Sequence, residues 1–248
     1  MQKIMNYEDA VDYLKTTLSR GSRPGLSRII ELLELMDNPQ RKTKVIHVTG
    51  TNGKGSVCRM LTSILQAQGC KTGLFASPYI TRINESIQIN SRKIPDLLFA
   101  EIIGFIYPLA ESMDDPPTEF EILTAAAFEY FYRSKCDIAV IECGMGGDAD
   151  STNVIEAPLL SVITNVAVDH SSFLGKTTAE IAVHKAGIIK KDRPLLFAGT
   201  DADADKVITE KAKKMNSELF HADYSQLAVK DFSLEGTLLD FGNYKNIR

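Results

Sequence analysis

The heptapeptide Gly50-Thr51-Asn52-Gly53-Lys54-Gly55-Ser56 lies between a short β-branched run, Lys44–Thr49, and an apolar helical pattern at Val57–Gln68. No other stretch constrains the fold as strongly, because a glycine loop there joins a strand to a helix whose N-terminus faces whatever the loop encloses. Small residues let the backbone curl until successive N–H groups face an anion. Lys54 adds a full positive charge, and Ser56 is placed to ligate magnesium. The glycine spacing is shorter than in the common phosphate loop, and Gly55 separates the lysine from the serine. An ordinary strand-to-helix turn requires neither of those two polar residues, so the loop is read as a phosphate site.

The flanking pattern extends the argument to the fold. Helical periodicity marks Ala10–Leu18 and Leu26–Met36, with the turn Gly21–Gly25 between them. Thr72–Ala76 reads as the strand that completes a βαβ unit, and Ser86–Lys93 as a hairpin turning at Asn90-Ser91. Helices are predicted over Asp96–Met113 and Glu119–Arg133, the second opened by Thr118 and Glu121 in capping-box spacing. Asp137–Glu142 and Leu159–Thr164 are apolar on both alternations, as strands covered on both faces are. A helix over Thr177–Ile189, a strand at Pro194–Phe197, a helix over Asp203–Met215 and short strands from Ser217 onward complete the order. The predicted class is α/β: a phosphate-loop, mostly parallel sheet flanked by helices on both faces.

A net charge of −4 gives no broad attraction for nucleic acid or an anionic membrane, so neither is expected as a partner. Cys58, Cys70, Cys136 and Cys143 form no CxxC pair and sit in apolar surroundings, which predicts reduced thiols. The N-terminal residues lack the apolar stretch of a signal peptide, and a cytoplasmic location is expected.

Beyond the loop, the blocks VTGTNGKGSV, GLFASPYITRINESI, PTEFEILTAAAFEYF, IECGMGG, STNVI, SVITNVAVDH, FLG and KAGIIK occur in one order. From about Gly25 to Phe197 this order resembles the folylpolyglutamate and dihydrofolate synthases, relatives of the Mur ligases. The resemblance implies an ATP-dependent ligase with Mg2+ that joins L-glutamate to a folate-type acid, tetrahydrofolate or dihydropteroate, through an acyl phosphate. It assigns ATP to Gly50, Thr51, Asn52, Gly53, Lys54, Gly55 and Ser56, and metal to Ser56, Ser77, Glu142 and His170. It assigns the pterin pocket to Thr118, Glu119, Phe120 and Glu121. Lys54, His170 and Lys185 carry the catalytic roles, Lys185 as a lysine carbamoylated by carbon dioxide. A carboxylate and a polyphosphate repel each other, so cations are needed where they meet. Taken alone, a strand-ending glutamate or a lone histidine is more often structural. His47, inside an apolar run, is read as core.

Two positions depart from the family pattern. Asp148 stands where arginine is usual, and His184 where glutamate precedes the modified lysine. The 248 residues are expected to form one Mur-ligase-like ATP-binding domain, incomplete at its C-terminal end. The C-terminal glutamate-binding domain is expected to be absent, which leaves room for a partner chain that supplies it. Such a chain would be weakly active or inactive alone. The alternative is a noncatalytic nucleotide- or folate-binding module or partner subunit.

Overall fold

The computed structural model describes residues 5–248. β1 (Lys44–Thr49) and β2 (Thr72–Phe75) precede the hairpin of β3 (Ile87–Ile89) and β4 (Arg92–Lys93) in chain order. These are followed by β5 (Ile138–Glu142), β6 (Leu160–Ile163), β7 (Leu195–Phe197) and β8 (Leu219–His221). Together they form one sheet ordered β4-β3-β2-β5-β1-β6-β7-β8. The six strands from β2 to β8 in that order are parallel, and the β3–β4 hairpin closes one edge antiparallel. The hairpin turns where predicted, with Asn90 and Ser91 at φ 49° and 59°. A second, antiparallel sheet is built from β9 (Leu227–Ser233), β10 (Gly236–Phe241) and β11 (Tyr244–Ile247).

Strict alternation sends each strand's side chains to two cores. Ile46, Val48, Ile138, Val140 and Val162 pack under α3 (Lys54–Ala67) with Cys58. Val45, Phe75, Ala139 and Ile141 face the opposite layer, where α1 (Tyr7–Thr17), α2 (Ser27–Leu35), α4 (Asp96–Glu111) and α5 (Glu119–Arg133) lie. α6 (Ser171–Leu174), α7 (Thr178–Lys185) and α8 (Ala202–Lys214) cover Ile163, Leu195 and Phe197 on that same side. Both faces are thus sheathed, as the apolar strands required. Gly73 has no room for a side chain, since a Cβ there would stand 2.7 Å from the ring of Phe131 on α5.

Several boundaries differ from the sequence reading, among them the start of α1 at Tyr7 in place of Ala10. α3 begins at Lys54, not Val57, so Lys54, Gly55 and Ser56 form its first turn. The helix expected to reach Ile189 ends at Lys185 and tightens into a single 3-10 turn at Ala186–Ile188. Within that turn a Cβ on Gly187 would stand 2.4 Å from Asp148 Cα, so a neighbouring loop packs directly on its backbone. α4 ends at Glu111 and tolerates Pro108 within its span.

A buried ion pair fixes the start of α5. Glu121 Oε2 accepts from the Thr118 N–H at 2.7 Å, from the Thr118 hydroxyl at 2.9 Å and from Arg28 Nε of α2 at 3.1 Å. Glu121 is 1% exposed and Arg28 6%. One carboxylate therefore both caps a helix and ties two helices together.

The chain leaves β1 toward β2 but leaves β6 toward β7, so direction reverses between β1 and β6. Open parallel sheets hold ligands in the crevice outside the carboxyl ends of strands at such a reversal. The loops after β1, β5 and β6 converge there.

Candidate functional site

The phosphate loop is held in shape by the segment that follows β6. Thr51 N–H donates to the Asn165 carbonyl at 3.0 Å, and Asn52 N–H donates to Asn165 Oδ1 at 2.8 Å. The Thr164 hydroxyl donates to the Asn52 carbonyl at 2.7 Å. A Cβ on Gly50 would stand 1.9 Å from Thr164 Oγ1, and Gly53 adopts φ 77°, so both glycines are required by the geometry. Lys54 Nζ folds back onto the Gly50 and Thr51 carbonyls at 3.0 and 3.2 Å, inside the loop that would wrap a phosphate. Asn165 was not singled out from the sequence. Its role depends on the adjacency of β1 and β6, which no local pattern reveals.

Glu142 ends β5 against the first turn of α3. A Cβ on Gly55 would lie 3.5 Å from Glu142 Oε2, ordinary contact distance, which places the carboxylate against the helix N-terminus. The residue is 3% exposed, and Oε2 has no hydrogen-bond partner. Burial pushes its pKa up to about 7 against the opposing pull of Lys54 and the Ser77 backbone N–H. A buried carboxylate oxygen with no hydrogen-bond partner, beside a lysine and a serine-bearing helix start, fits a hard divalent cation.

The expected metal ligands are only partly brought together. Glu142 adjoins the first turn that carries Ser56, and Ser77 contributes a backbone N–H to Glu142. His170 instead caps α6, is exposed, and faces Asp169 at 3.6 Å. Among the described residues, no three His, Cys, Asp or Glu side chains cluster to hold a metal.

Lys185, 3% exposed, lies at the end of α7. Burial, then the charge of Lys54, lowers its pKa to about 8. A sizeable fraction of neutral amine is therefore present near pH 7.5.

Beside these groups opens a cavity of about 470 Å³, lined by Ser77, Thr118, Glu119, Phe120, Asp148 and His184 among others. Phe120 stacks obliquely on Phe75 at 5.8 Å between ring centroids. Gly144 permits this, because a Cβ there would stand 2.7 Å from the Phe120 ring. Burial raises the pKa of Glu119. Glu121 is a correction to the expected pocket: it is committed to Arg28 and to the α5 cap and does not line the cavity.

The two departures from the family pattern touch each other. His184 Nδ1 lies 3.0 and 3.1 Å from the two carboxylate oxygens of Asp148, and the Asp148 N–H donates to the His184 carbonyl at 2.9 Å. Neither residue is an isolated substitution.

A buried polar chain supports the floor of the cavity. His47 Nε2 lies 2.8 Å from Thr152 Oγ1, which donates to Asp150 Oδ1 at 2.5 Å, and Asp150 Oδ2 accepts from the Met145 N–H at 2.8 Å. Cys143 Sγ also lies 3.1 Å from His47 Nε2, so Thr152 and Cys143 both meet that ring nitrogen. His47 Nδ1 is left buried without a partner, and burial lowers the imidazole pKa to about 3. The core reading of His47 stands: the ring is neutral and structural.

His47 and Glu142 make opposite contributions to acid stability. The folded His47 pKa lies below its ordinary 6.5, so its contribution is present above pH 6.5 and is lost as pH falls toward 3. Glu142 is raised from 4.5 to about 7, so its cost grows as pH rises through that window and is relieved on acidification. Between pH 7 and 5 each shift is worth about 2 kcal/mol, of opposite sign. Urea unfolding of the native chain should therefore show little slope from this pair. Glu142→Gln should expose a loss of about 2 kcal/mol on acidification to pH 5. An unchanged slope in that variant would refute the assignment.

Residues 48–239 match the Mur ligase middle domain. The chain is 40% identical over 235 residues to a folylpolyglutamate synthase of Lacticaseibacillus casei, covering 93% of this chain and 53% of that protein. It is 43% identical over 213 residues to a dihydrofolate synthase/folylpolyglutamate synthase of Bacillus subtilis, covering 84% and 49%. Among solved structures, an FPGS–AMPPCP–folate complex superposes with TM-score 0.87 at 38% identity, covering 97% of this chain and 60% of that one. A Mycobacterium tuberculosis folylpolyglutamate synthase complexed with ADP gives TM-score 0.86 at 31% identity, covering 94% and 55%. The chain spans about half the length of the curated relatives it matches. With residues 48–239, most of its length, in the matched region, the chain belongs to the Mur ligase family.

Proposed function

We propose that these residues form the ATP-binding part of a ligase that adds L-glutamate to a folate-type acid. The observation that carries this reading is Glu142: a buried carboxylate with an unpartnered oxygen, set against the glycine loop and Lys54. Such a group is costly unless a cation completes it. The relatives' complexes with AMPPCP, ADP and folate belong to those proteins and support the assignment here by similarity.

On this reading the loop N–H groups and Lys54 hold the polyphosphate, with Lys54 leaving the Gly50 and Thr51 carbonyls for the terminal phosphate. Glu142 and Ser56, with Ser77 nearby, would hold Mg2+, which supplies charge neutralisation between two anions when bound. The cavity beside Phe120 takes the ring of the acid substrate, with Glu119 reading its polar edge. The acid's carboxylate oxygen bonds to the γ-phosphorus as ADP departs; the neutral amine of glutamate then bonds to the acyl carbon, phosphate departs, and the nitrogen gives up one proton to solvent. Lys185 is held in a site that favours its neutral amine, the form that carbon dioxide carbamoylates. His170, exposed at the start of α6, is the least supported of the four proposed metal ligands. Free Cys58, Cys136 and Cys143, all buried, suit a reducing cytoplasm.

The test is calorimetric titration with Mg2+ and a nonhydrolysable ATP analogue. Lys54→Ala should weaken binding about 100-fold, since one desolvated charge-assisted contact is worth about 2–3 kcal/mol. Saturable binding by the native chain that the variant leaves untouched would overturn the assignment. Absence of binding by both would favour the reading as a noncatalytic partner.

A further inference from the structure

The cavity beside Phe120 is walled by three carboxylates, Glu119, Asp148 and Asp150, and by two groups able to carry positive charge, Arg23 and His184. Both of the latter are engaged. The Arg23 guanidinium grips Asp115 through Nη1 and Nη2 at 2.7 and 3.1 Å, and His184 Nδ1 faces both oxygens of Asp148. Among the described residues lining this cavity, no cation is left without a carboxylate partner.

Asp148 is also fixed in place. Its N–H donates to the His184 carbonyl, and its own carbonyl accepts from Asn153 Nδ2 at 3.0 Å. The same Asn153 amide donates to the Gly187 carbonyl at 3.3 Å, and the absence of a side chain on Gly187 lets the two backbones meet. The carboxylate therefore cannot retreat from the cavity by a shift of its loop without breaking the junction with α7.

We propose that Asp148, paired with His184, is a specificity-determining residue that makes this cavity prefer an aromatic acid with a single carboxylate over the same ring system carrying a glutamate tail. The inference rests on the ligase reading above and sharpens its substrate class. On that reading the reacting carboxylate is served by Lys54 at the loop end. Every further carboxylate must find a cation or remain in water, and along this wall it meets Asp148 and Asp150 instead. Like charges juxtaposed across a binding surface act as rejection. The neighbouring histidine offsets that rejection only in part, because its ring already faces Asp148.

The test compares pteroic acid with folic acid, which share the ring and linker and differ by the glutamate, in titrations of the native chain loaded with Mg2+ and a nonhydrolysable ATP analogue. Pteroic acid should bind about tenfold tighter at low salt, the scale of one charge pair near a protein surface. In about 1 M salt, where the screening length is about 3 Å, the ratio should collapse toward unity. Asp148→Asn should narrow the low-salt ratio to about threefold or less, moving folic acid more than pteroic acid. Equal affinities in the native chain, or a ratio that neither salt nor Asp148→Asn changes, would overturn the inference while leaving the ligase reading intact. If neither acid binds while the nucleotide analogue does, the assignment of the cavity itself fails, and this inference with it. The salt series reads the same electrostatic effect without a substitution, so a poorly folding variant does not shelter the idea.

Discussion

Glu142→Gln should make the metal-free protein more stable and at the same time unresponsive to Mg2+. At pH 8 the native carboxylate is largely ionised in a site that raises its pKa from 4.5 to about 7. Because the folded pKa is the higher one, the cost is absent below pH 4.5 and complete above pH 7. It amounts to about 3 kcal/mol at pH 8. Glutamine keeps the shape and removes the charge, so most of that cost should vanish. For a chain of this size the melting temperature should rise by about 5 °C or more at pH 8, and by little at pH 5. Adding Mg2+ with nucleotide should raise the melting temperature of the native chain and leave that of the variant nearly unmoved. A variant that melts at or below the native temperature at pH 8 would show that Glu142 is not held at a cost to the fold.

Arg28→Ala should have the larger effect on the fold itself. Glu121 is almost wholly buried, and its Oε1 already lacks a partner. Removing the guanidinium 3.1 Å from Oε2 leaves that charge with only the Thr118 donors. Breaking one side of a buried pair costs about 3–5 kcal/mol. Chemical denaturation should register the loss, and Glu121→Gln in the Arg28→Ala background should recover part of it by removing the stranded charge. No recovery in the double variant would mean that lost packing of the arginine stem, and not the unpaired carboxylate, dominates.

These two residues also show what the sequence makes legible and what it conceals. The capping spacing of Thr118 and Glu121 is local, and the structure contains it as read. The guanidinium that completes it comes from a helix 93 positions earlier, so Glu121 looked like a pocket residue when it is a tie between helices. The phosphate loop and the doubly covered strands could be read because glycine content and apolar alternation are short-range signals. The start of α3 could not, since Gly53 and Gly55 mask helical periodicity although the turn around them is helical. Likewise the unusual residues Asp148 and His184 were visible as separate departures, yet only the packing of Gly147 and Gly187 against the end of α7 makes them one unit. Glu142 was legible by position. Its unpartnered oxygen, the feature that argues for a cation, exists only in three dimensions.

The clamp of Asn165 on the phosphate loop bears on how the molecule assembles. Its side-chain bond to Asn52 spans 113 positions, and β1 itself pairs with strands that arrive 94 and 114 residues later by register, Lys44 with Ile138 and Ile46 with Leu160. Contacts of that range require long loops to close before they can form. An emerging or half-folded chain has the glycine loop but not the frame that shapes it. Nucleotide should therefore leave the refolding rate almost unchanged and slow unfolding instead, acting as a lock on a finished structure and not as a template for building it.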